Sequence, residues 1–140
     1  MAERKKFLLE IVSPQRVFYQ QDVEMVELNT TEGEIGIYAD HIPLTALVAP
    51  GIMTITEDEA TTKEAAVLEG FIEILPDKVT VLAQSCEWPD EIDLNRAREA
   101  KVRAERRIQS SDGTINQSRA EMALRRALIR IHLAEQGRNG

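Results

Sequence analysis

The chain has 140 residues, 43% of them hydrophobic, and a formal net charge of −7 at pH 7. This length allows one ordinary domain, or a compact domain with a small appendage, and it excludes a large multidomain enzyme. The negative charge argues against general nucleic-acid binding, because counterion release from a phosphate backbone requires a basic surface. No segment reaches the roughly 20 apolar residues that cross a bilayer, and the first residues lack the pattern of a signal peptide, so we expect a cytoplasmic protein.

The charge is unevenly divided along the chain. Residues 1–88 contain 6 Lys or Arg against 16 Asp or Glu, whereas residues 89–140 contain 11 against 8. Two segments with different surroundings are therefore predicted, residues 1–88 and residues 89–140. The single cysteine, Cys86, has no second thiol for a disulfide or a zinc ribbon, and we interpret it as a small apolar residue of a strand.

The first segment is predicted to be all β-structure. Its short runs are rich in β-branched residues and partly alternate between apolar and polar positions, which is typical of strands. The turn signals between the runs, such as Pro50-Gly51, have the spacing of an antiparallel sandwich or barrel. The predicted strands are Phe7 to Val12, Val23 to Leu28, Ile52 to Thr56 and Val79 to Ala83.

The second segment is predicted to be helical. After Pro89 the residues are mainly Ala, Arg, Glu and Leu, which favour helices. Asp90 or Glu91 can cap a first helix over residues 93–109, and a break at residues 110–113 precedes a second helix over residues 116–135. The two helices are predicted to form an antiparallel hairpin. Apolar residues recur at helical spacing along the second helix, at Ala120, Leu124, Ala127, Leu128 and Ile131.

Arginines form a stripe on each predicted helix. One stripe holds Arg96, Arg103 and Arg107, and the other holds Arg119, Arg126 and Arg130, each with the spacing i, i+7, i+11. Such a stripe can be a simple solvated face. Two basic stripes brought together in a hairpin would repel each other, however, so we expect an anion or an acidic partner between them.

One run of the sequence closely resembles the epsilon subunit of F-type ATP synthase. The run is Gly33-Glu34-Ile35-Gly36-Ile37-Tyr38-Ala39-Asp40-His41-Ile42-Pro43-Leu44, and the resemblance continues through Gly70 to Ile74, Val79 to Ala83 and Ile92 to Ala97. The family often has Pro-Gly where this chain has Ala39-Asp40, and a second glycine at Glu69. The resemblance implies an α+β fold, with an N-terminal antiparallel β-sandwich over residues 1–88 and a C-terminal antiparallel helical hairpin over residues 89–140.

The resemblance also implies a function and partners. A member of this family is a non-catalytic rotor subunit, whose sandwich docks on the gamma subunit and the c-ring at the cytoplasmic face of the cell membrane. Glu34 and His41 are then the candidates for contact with the c-ring. The helices would inhibit ATP hydrolysis by meeting the alpha and beta subunits, with Arg125, Arg126 and Arg130 facing acidic segments.

Family members that bind ATP open the first helix with Ile/Leu-Asp-x-x-Arg-Ala, and the motif is complete here as Ile92, Asp93, Arg96 and Ala97. By the same resemblance Glu87, Arg103, Arg126 and Arg130 complete a site for ATP as a regulatory ligand. Guanidinium groups can clamp phosphate oxygens, while Glu87 and Asp93 can accept a hydrogen bond from an adenine amino group or orient an arginine.

No cofactor, metal or catalytic residue is predicted. His41 has no neighbours at ligand spacing, and the Gly-rich loop of P-loop ATPases is absent from the sequence. Two alternatives belong to other classes: a free-standing ATP-binding sensor, and an enzyme with a jelly-roll-like active site. The run from Glu34 to Pro43 argues against the sensor, and nucleotide turnover by the purified chain would test for the enzyme.

Overall fold

The computed structural model describes residues 4–110 and 114–139, except for the side chains of residues 114–116, 138 and 139. The chain divides into two compact units at the bond between Cys86 and Glu87. In residues 4–110 and 114–139, no helix combines the length and apolar character needed to span a bilayer.

The first unit contains eight strands, and the last of them ends one residue beyond it. They are β1 (Phe7–Val12), β2 (Val17–Val23), β3 (Met25–Thr30), β4 (Gly33–Tyr38), β5 (Leu44–Val48), β6 (Gly51–Thr56), β7 (Thr62–Ile74) and β8 (Lys78–Glu87). Their order is β2-β1-β8-β7-β5-β3-β4, with β6 paired to both β3 and β7. Because β5 and β6 each pair with both β3 and β7, the sheet closes on itself as a sandwich.

Strand alternation builds the core between the layers. In β1 the side chains of Phe7, Leu9 and Ile11 are buried, while the residues between them are half-buried. This period of two is what a strand with one core-facing side requires. The largest fully buried side chains of this unit are Leu9, Ile11, Val23, Val26, Ile37, Met53, Ile55, Val67, Leu68, Ile72 and Ile74.

β7 passes close to β8 at Gly70. A Cβ atom at this position would lie 2.2 Å from the carbonyl oxygen of Leu82. That separation is far below van der Waals contact, so a side chain there would force the two strands apart. Glycine at position 70 lets β7 run from its pairing with β6 to its pairing with β5 beside β8.

The second unit is a helical hairpin. A 3₁₀ turn at Pro89–Glu91 leads into α1 (Leu94–Ser110), and α2 (Thr114–Asn139) follows. Arg98 near the start of α1 lies 3.9 Å from Glu135 near the end of α2, so the helices are antiparallel. The amide of Arg96 donates to Oδ1 of Asp93 at 3.1 Å, which makes Asp93 the N-cap of α1.

Alanines form the seam of the hairpin. Ala97 and Ala104 of α1 are buried, as are Ala120, Ala127 and Ala134 of α2. Each set repeats every seven residues, the spacing that keeps one helical face toward a partner helix. The apolar face predicted for α2 is thus partly wrong: Leu128 is 45% exposed, while Leu133 and Ala134 are buried.

The predicted fold class, a β-sandwich followed by two antiparallel helices, is confirmed. One strand pair departs from the antiparallel pattern, because β1 pairs with β8 in parallel. The predicted run Val23 to Leu28 proves to span the junction of β2 and β3. The predicted cap of α1 at Asp90 or Glu91 is wrong by two or three residues, since Glu91 instead accepts the amide hydrogen of Trp88 and closes the 3₁₀ turn.

Candidate functional site

The second unit contains a pocket of about 350 Å³ at the open end of the hairpin. A volume of this order is at the lower end of small-molecule sites. The lining residues come from the segment before α1, from α1 and from α2: Glu87, Glu91, Ile92, Asp93, Arg96, Ala97, Ala100, Arg103 and Arg130. Ile92 and Ala97 are buried, so they give the pocket an apolar side beside its charged groups.

Each of the three carboxylates in the pocket has a partner. Glu91 accepts the amide hydrogen of Trp88 at 2.9 Å, and Asp93 accepts that of Arg96 at 3.1 Å. Both bonds cap the start of a helical segment, where backbone donors lack partners within the helix. Glu87 accepts from Nε of Arg130 at 2.6 Å, a bond within the second unit that joins its first residue to α2.

The three guanidinium groups of the pocket differ in their partners. Arg130 is tied to Glu87, with side-chain exposures of 30% and 25%. Arg96 and Arg103 lie seven residues apart on α1, are exposed, and form no ion pair within residues 4–110 and 114–139. The pocket therefore presents two unpaired cations and one oriented cation, an arrangement suited to a ligand with several negative oxygens.

The remaining arginines of the predicted stripes do not line this pocket. Arg107 and Arg119 are exposed, and Arg126 is half-buried on α2. Arg125, predicted to face an acidic partner, is also exposed. The structure thus brings together Arg96, Arg103 and Arg130, but not Arg126.

Two residues of the pocket were missed by sequence reasoning. Glu91 and Ala100 both line it. Ala100 lies three and four residues after Ala97 and Arg96, so helical spacing alone could have placed it on their face. The sequence predicts Glu91 only as a possible cap of α1, whereas its bond to Trp88 caps the 3₁₀ turn that precedes α1.

The two predicted contacts with a rotor partner lie near opposite ends of β4 and not in one loop. Glu34 is exposed in β4, the edge strand that pairs with β3, whereas His41 follows the other end of β4. The Nδ1 atom of His41 bonds to the carbonyl oxygen of Ile42 at 2.7 Å. Within the described parts of the chain, no three His, Cys, Asp or Glu side chains are grouped to hold a metal ion.

Glu34 borders an open cleft of about 460 Å³ in the first unit. Leu44, Leu47 and Phe71 line the same cleft, and all three are exposed. Leu47 and Phe71 are direct partners across β5 and β7, so their side chains emerge from the same face of the sheet. Adjacent exposed apolar side chains of this kind mark surfaces that bind other proteins.

Two family models match the chain. The model described as the beta-sandwich domain of the ATP synthase Delta/Epsilon chain matches residues 6–89, and the model described as its long alpha-helix domain matches residues 90–135. Together they cover both units.

Similar proteins match over nearly the whole length. The ATP synthase epsilon chain of Caldanaerobacter subterraneus subsp. tengcongensis is 44% identical over 133 residues, which cover 94% of this chain and 96% of the relative. The ATP synthase epsilon chain of Natranaerobius thermophilus is 44% identical over 137 residues, with 97% of each chain covered.

Two solved structures have the same fold. A chain in the mitochondrial ATP synthase of Euglena gracilis, solved as OSCP, F1 and c-ring, aligns with a TM-score of 0.79 at 19% identity, covering 100% of this chain and 85% of that one. A chain in the central stalk and c-ring of the Tetrahymena thermophila mitochondrial ATP synthase aligns with a TM-score of 0.63 at 13% identity, covering 97% and 98%.

Proposed function

Because this chain belongs to the Delta/Epsilon family of ATP synthase chains, we propose that it is a non-catalytic rotor subunit that regulates ATP hydrolysis and senses ATP. The sandwich docks on the gamma subunit and the c-ring, and the helices act on the alpha and beta subunits. The chain is held at the membrane surface through the complex alone. Support comes from the full-length match to epsilon chains and from related folds in solved central stalks.

The cleft beside Glu34 is the proposed docking surface of the sandwich. Leu47 and Phe71 offer apolar area that a protein partner would remove from water, which is favourable at roughly 25 cal/mol per Å². Glu34 adds a carboxylate that can accept charge-assisted hydrogen bonds from polar loops of a c-ring. His41 lies beyond the other end of β4 and is half-buried, so it is a separate candidate contact.

The pocket of the helical unit is the proposed ATP site, and the observation that carries this proposal is the convergence of Arg96, Arg103 and Arg130 on it. Guanidinium groups bind phosphate oxygens in a bidentate manner. Ile92 and Ala97 provide apolar contact for the base. The pocket lacks the Gly-rich phosphate loop of P-loop ATPases, so the site is proposed to bind ATP without hydrolysing it.

Calorimetric titration of the purified chain tests this site. We expect saturable ATP binding without release of phosphate. Replacing Arg96 or Arg103 with alanine should weaken the binding at least about tenfold, or 1.4 kcal/mol, because each removes an unpaired phosphate-binding cation. Arg126→Ala measures in addition whether that residue joins the site when ATP is bound.

Arg107→Ala is the matched control, since it removes an exposed arginine of α1 that does not line the pocket. It should leave the affinity unchanged. The ATP site would be wrong if the wild-type chain gave no saturable heat at millimolar ATP, or if Arg107→Ala weakened binding as much as Arg96→Ala.

A free-standing ATP sensor remains the second candidate, supported by the same pocket. The two candidates differ in their partners. Purification of the chain from native membranes together with alpha, beta and gamma subunits would support the rotor subunit, whereas recovery of the chain alone would favour the sensor.

A further inference from the structure

The bond between Glu87 and Arg130 joins two parts of the pocket that lie 43 residues apart in sequence. The Nε atom of Arg130 donates to Oε1 of Glu87 at 2.6 Å. Both side chains are mostly covered, with exposures of 25% for Glu87 and 30% for Arg130. A short bond in this setting fixes the plane and direction of the guanidinium group.

The bond uses only one of the donors of Arg130. A guanidinium group has five N–H donors, of which Nε carries one and the two Nη atoms carry four. Within residues 4–110 and 114–139, no other hydrogen bond or ion pair is formed by Arg130. The two Nη atoms of Arg130 therefore lie in the pocket wall, and their N–H groups are available to bind a ligand.

Glu87 differs from the other two acids of the pocket. Glu91 and Asp93 each accept a backbone amide hydrogen at the start of a helical segment. Glu87 instead accepts from a side chain that itself lines the pocket. A negative charge beside an anion site would by itself repel the ligand, so a second effect must outweigh this repulsion if Glu87 is to assist binding.

We propose that Glu87 is a positioning residue, which serves the phosphate groups of a polyphosphate ligand through Arg130 and does not contact the base. This inference rests on the proposed ATP site and assigns one role within it. By holding Arg130 in a single conformation before the ligand arrives, Glu87 reduces the side-chain entropy that binding would otherwise cost. The gain in binding affinity is therefore the same for a ligand with or without a base.

The two roles open to Glu87 predict different results with a ligand that has no base. Calorimetry on the full chain should compare ATP with inorganic tripolyphosphate, for the wild type, Glu87→Gln, Arg130→Ala and the double variant. We expect Glu87→Gln to weaken both ligands equally, by about tenfold. In the Arg130→Ala background, Glu87→Gln should no longer weaken either ligand, because only the charge repulsion of Glu87 remains once the side chain that it positions is gone.

Arg98→Ala controls for loss of hairpin stability. It removes the outer pair between α1 and α2, at 3.9 Å, and does not touch the pocket. Its affinities should match those of the wild type. Circular dichroism of every variant checks that the helices are retained.

Three outcomes would overturn the role of Glu87 while leaving the ATP site in place. Glu87→Gln could weaken ATP alone, which would indicate contact with the base. It could strengthen both ligands, which would mean that charge repulsion dominates, or it could weaken them equally with and without Arg130. A wild-type chain that bound neither ligand would instead overturn the ATP site itself, and the inference with it.

Discussion

Tyr19, Glu57 and Lys63 form a polar cluster in the sandwich. The hydroxyl of Tyr19 donates to Glu57, and Nζ of Lys63 lies 3.2 Å from the same carboxylate and 5.8 Å from the centre of the Tyr19 ring. The hydrogen bond from Tyr19, helped by Lys63, lowers the pKa of the Glu57 carboxyl. Burial, together with the charge of Glu57, raises the pKa of the Tyr19 phenol.

We predict that Glu57→Gln destabilises the chain at pH 7 by about 1–2 kcal/mol, as expected for loss of a charged hydrogen-bond acceptor. Because the pKa of Glu57 is lowered in the folded state, its contribution is complete above the unfolded value of about 4.3 and is lost as the pH falls through the folded value. The difference from the wild type should therefore shrink in acid. Urea unfolding followed by circular dichroism at several pH values measures it.

Glu59→Gln is the control for this experiment, since Glu59 is an exposed carboxylate in the same turn. It should change stability little at any pH. A Glu57→Gln difference that stayed constant from neutral pH into acid would contradict the assigned linkage.

Asp40 illustrates how a single residue can preserve a backbone shape. The family often has glycine here, and Asp40 adopts the left-handed conformation, with φ of 63°, that glycine adopts without strain. Aspartate is one of the few other residues that enter this region routinely. Its carboxylate also accepts a hydrogen bond from Nζ of Lys5 at 2.9 Å.

At the scale of elements, the hairpin depends on a seam of small side chains. Ala120, Ala127 and Ala134 recur every seven residues on α2, and each is almost fully buried. Alanines let two helices approach closely but bury little apolar area, so the hairpin is held by modest forces. This is the property expected of an element that exchanges between two arrangements.

We predict that Ala127→Leu separates the two helices, because three added carbons cannot fit a closed seam and overpacking costs about 1–3 kcal/mol. Hydrogen exchange of the α1 amides should become faster. Ala123→Leu adds the same atoms at a half-buried position of α2 and should have a smaller effect. Equal acceleration by the two variants would contradict the seam.

The helices were predictable from sequence, whereas several strands were not. Runs of good helix formers after Pro89 set α1 and α2 to within a few residues. β7 was not predicted, because Glu64, Ala65 and Ala66 are poor strand formers. In the structure, their pairing with β6 outweighs this preference. β4 was seen only as a family motif, and β5 has five residues, too few for a clear period.

The candidate site was predictable only in part, because its geometry depends on how the two helices pack. The spacing along α1 placed Arg96 and Arg103 on one face, and both line the pocket. The rotation of α2 against α1 depends on which residues form the seam. Since Ala127 and Ala134 take that place, and Leu128 does not, the pocket receives Arg130 and not Arg126.

At the scale of the whole molecule, Arg130 has two proposed roles that exclude each other. In the hairpin it is bonded to Glu87, whereas inhibition would require it to face the catalytic head. A ligand can shift an equilibrium only through different affinities for the two states, and a site built from both helices has that property. We therefore propose that ATP stabilises the hairpin and so relieves the inhibition of ATP hydrolysis.

We predict that removing residues 89–140 raises ATP hydrolysis by the assembled synthase without preventing its assembly. Reversing Arg125, Arg126 and Arg130 to glutamate should raise hydrolysis in the same direction, and the difference should diminish at high salt because surface charge pairing is screened. Steady-state hydrolysis over a range of salt concentrations measures both variants.

Reversal of Arg98, Arg106 and Arg107 on α1 provides a control with the same change in charge. This variant should retain more of the inhibition than the variant in which Arg125, Arg126 and Arg130 are reversed. Hydrolysis that was identical with and without residues 89–140 would contradict an inhibitory role for the helices.

The parallel pairing of β1 with β8 constrains how the chain folds during synthesis. β1 is complete at Val12, but one of its two neighbours begins at Lys78. At a translation rate of about 5–20 residues per second, roughly 3 to 13 s separate the two strands. Through that interval the nascent chain holds β1 with an open hydrogen-bonding edge, a template for pairing with another chain. The pairing of the first strand can therefore be completed only after the last strand has been synthesised.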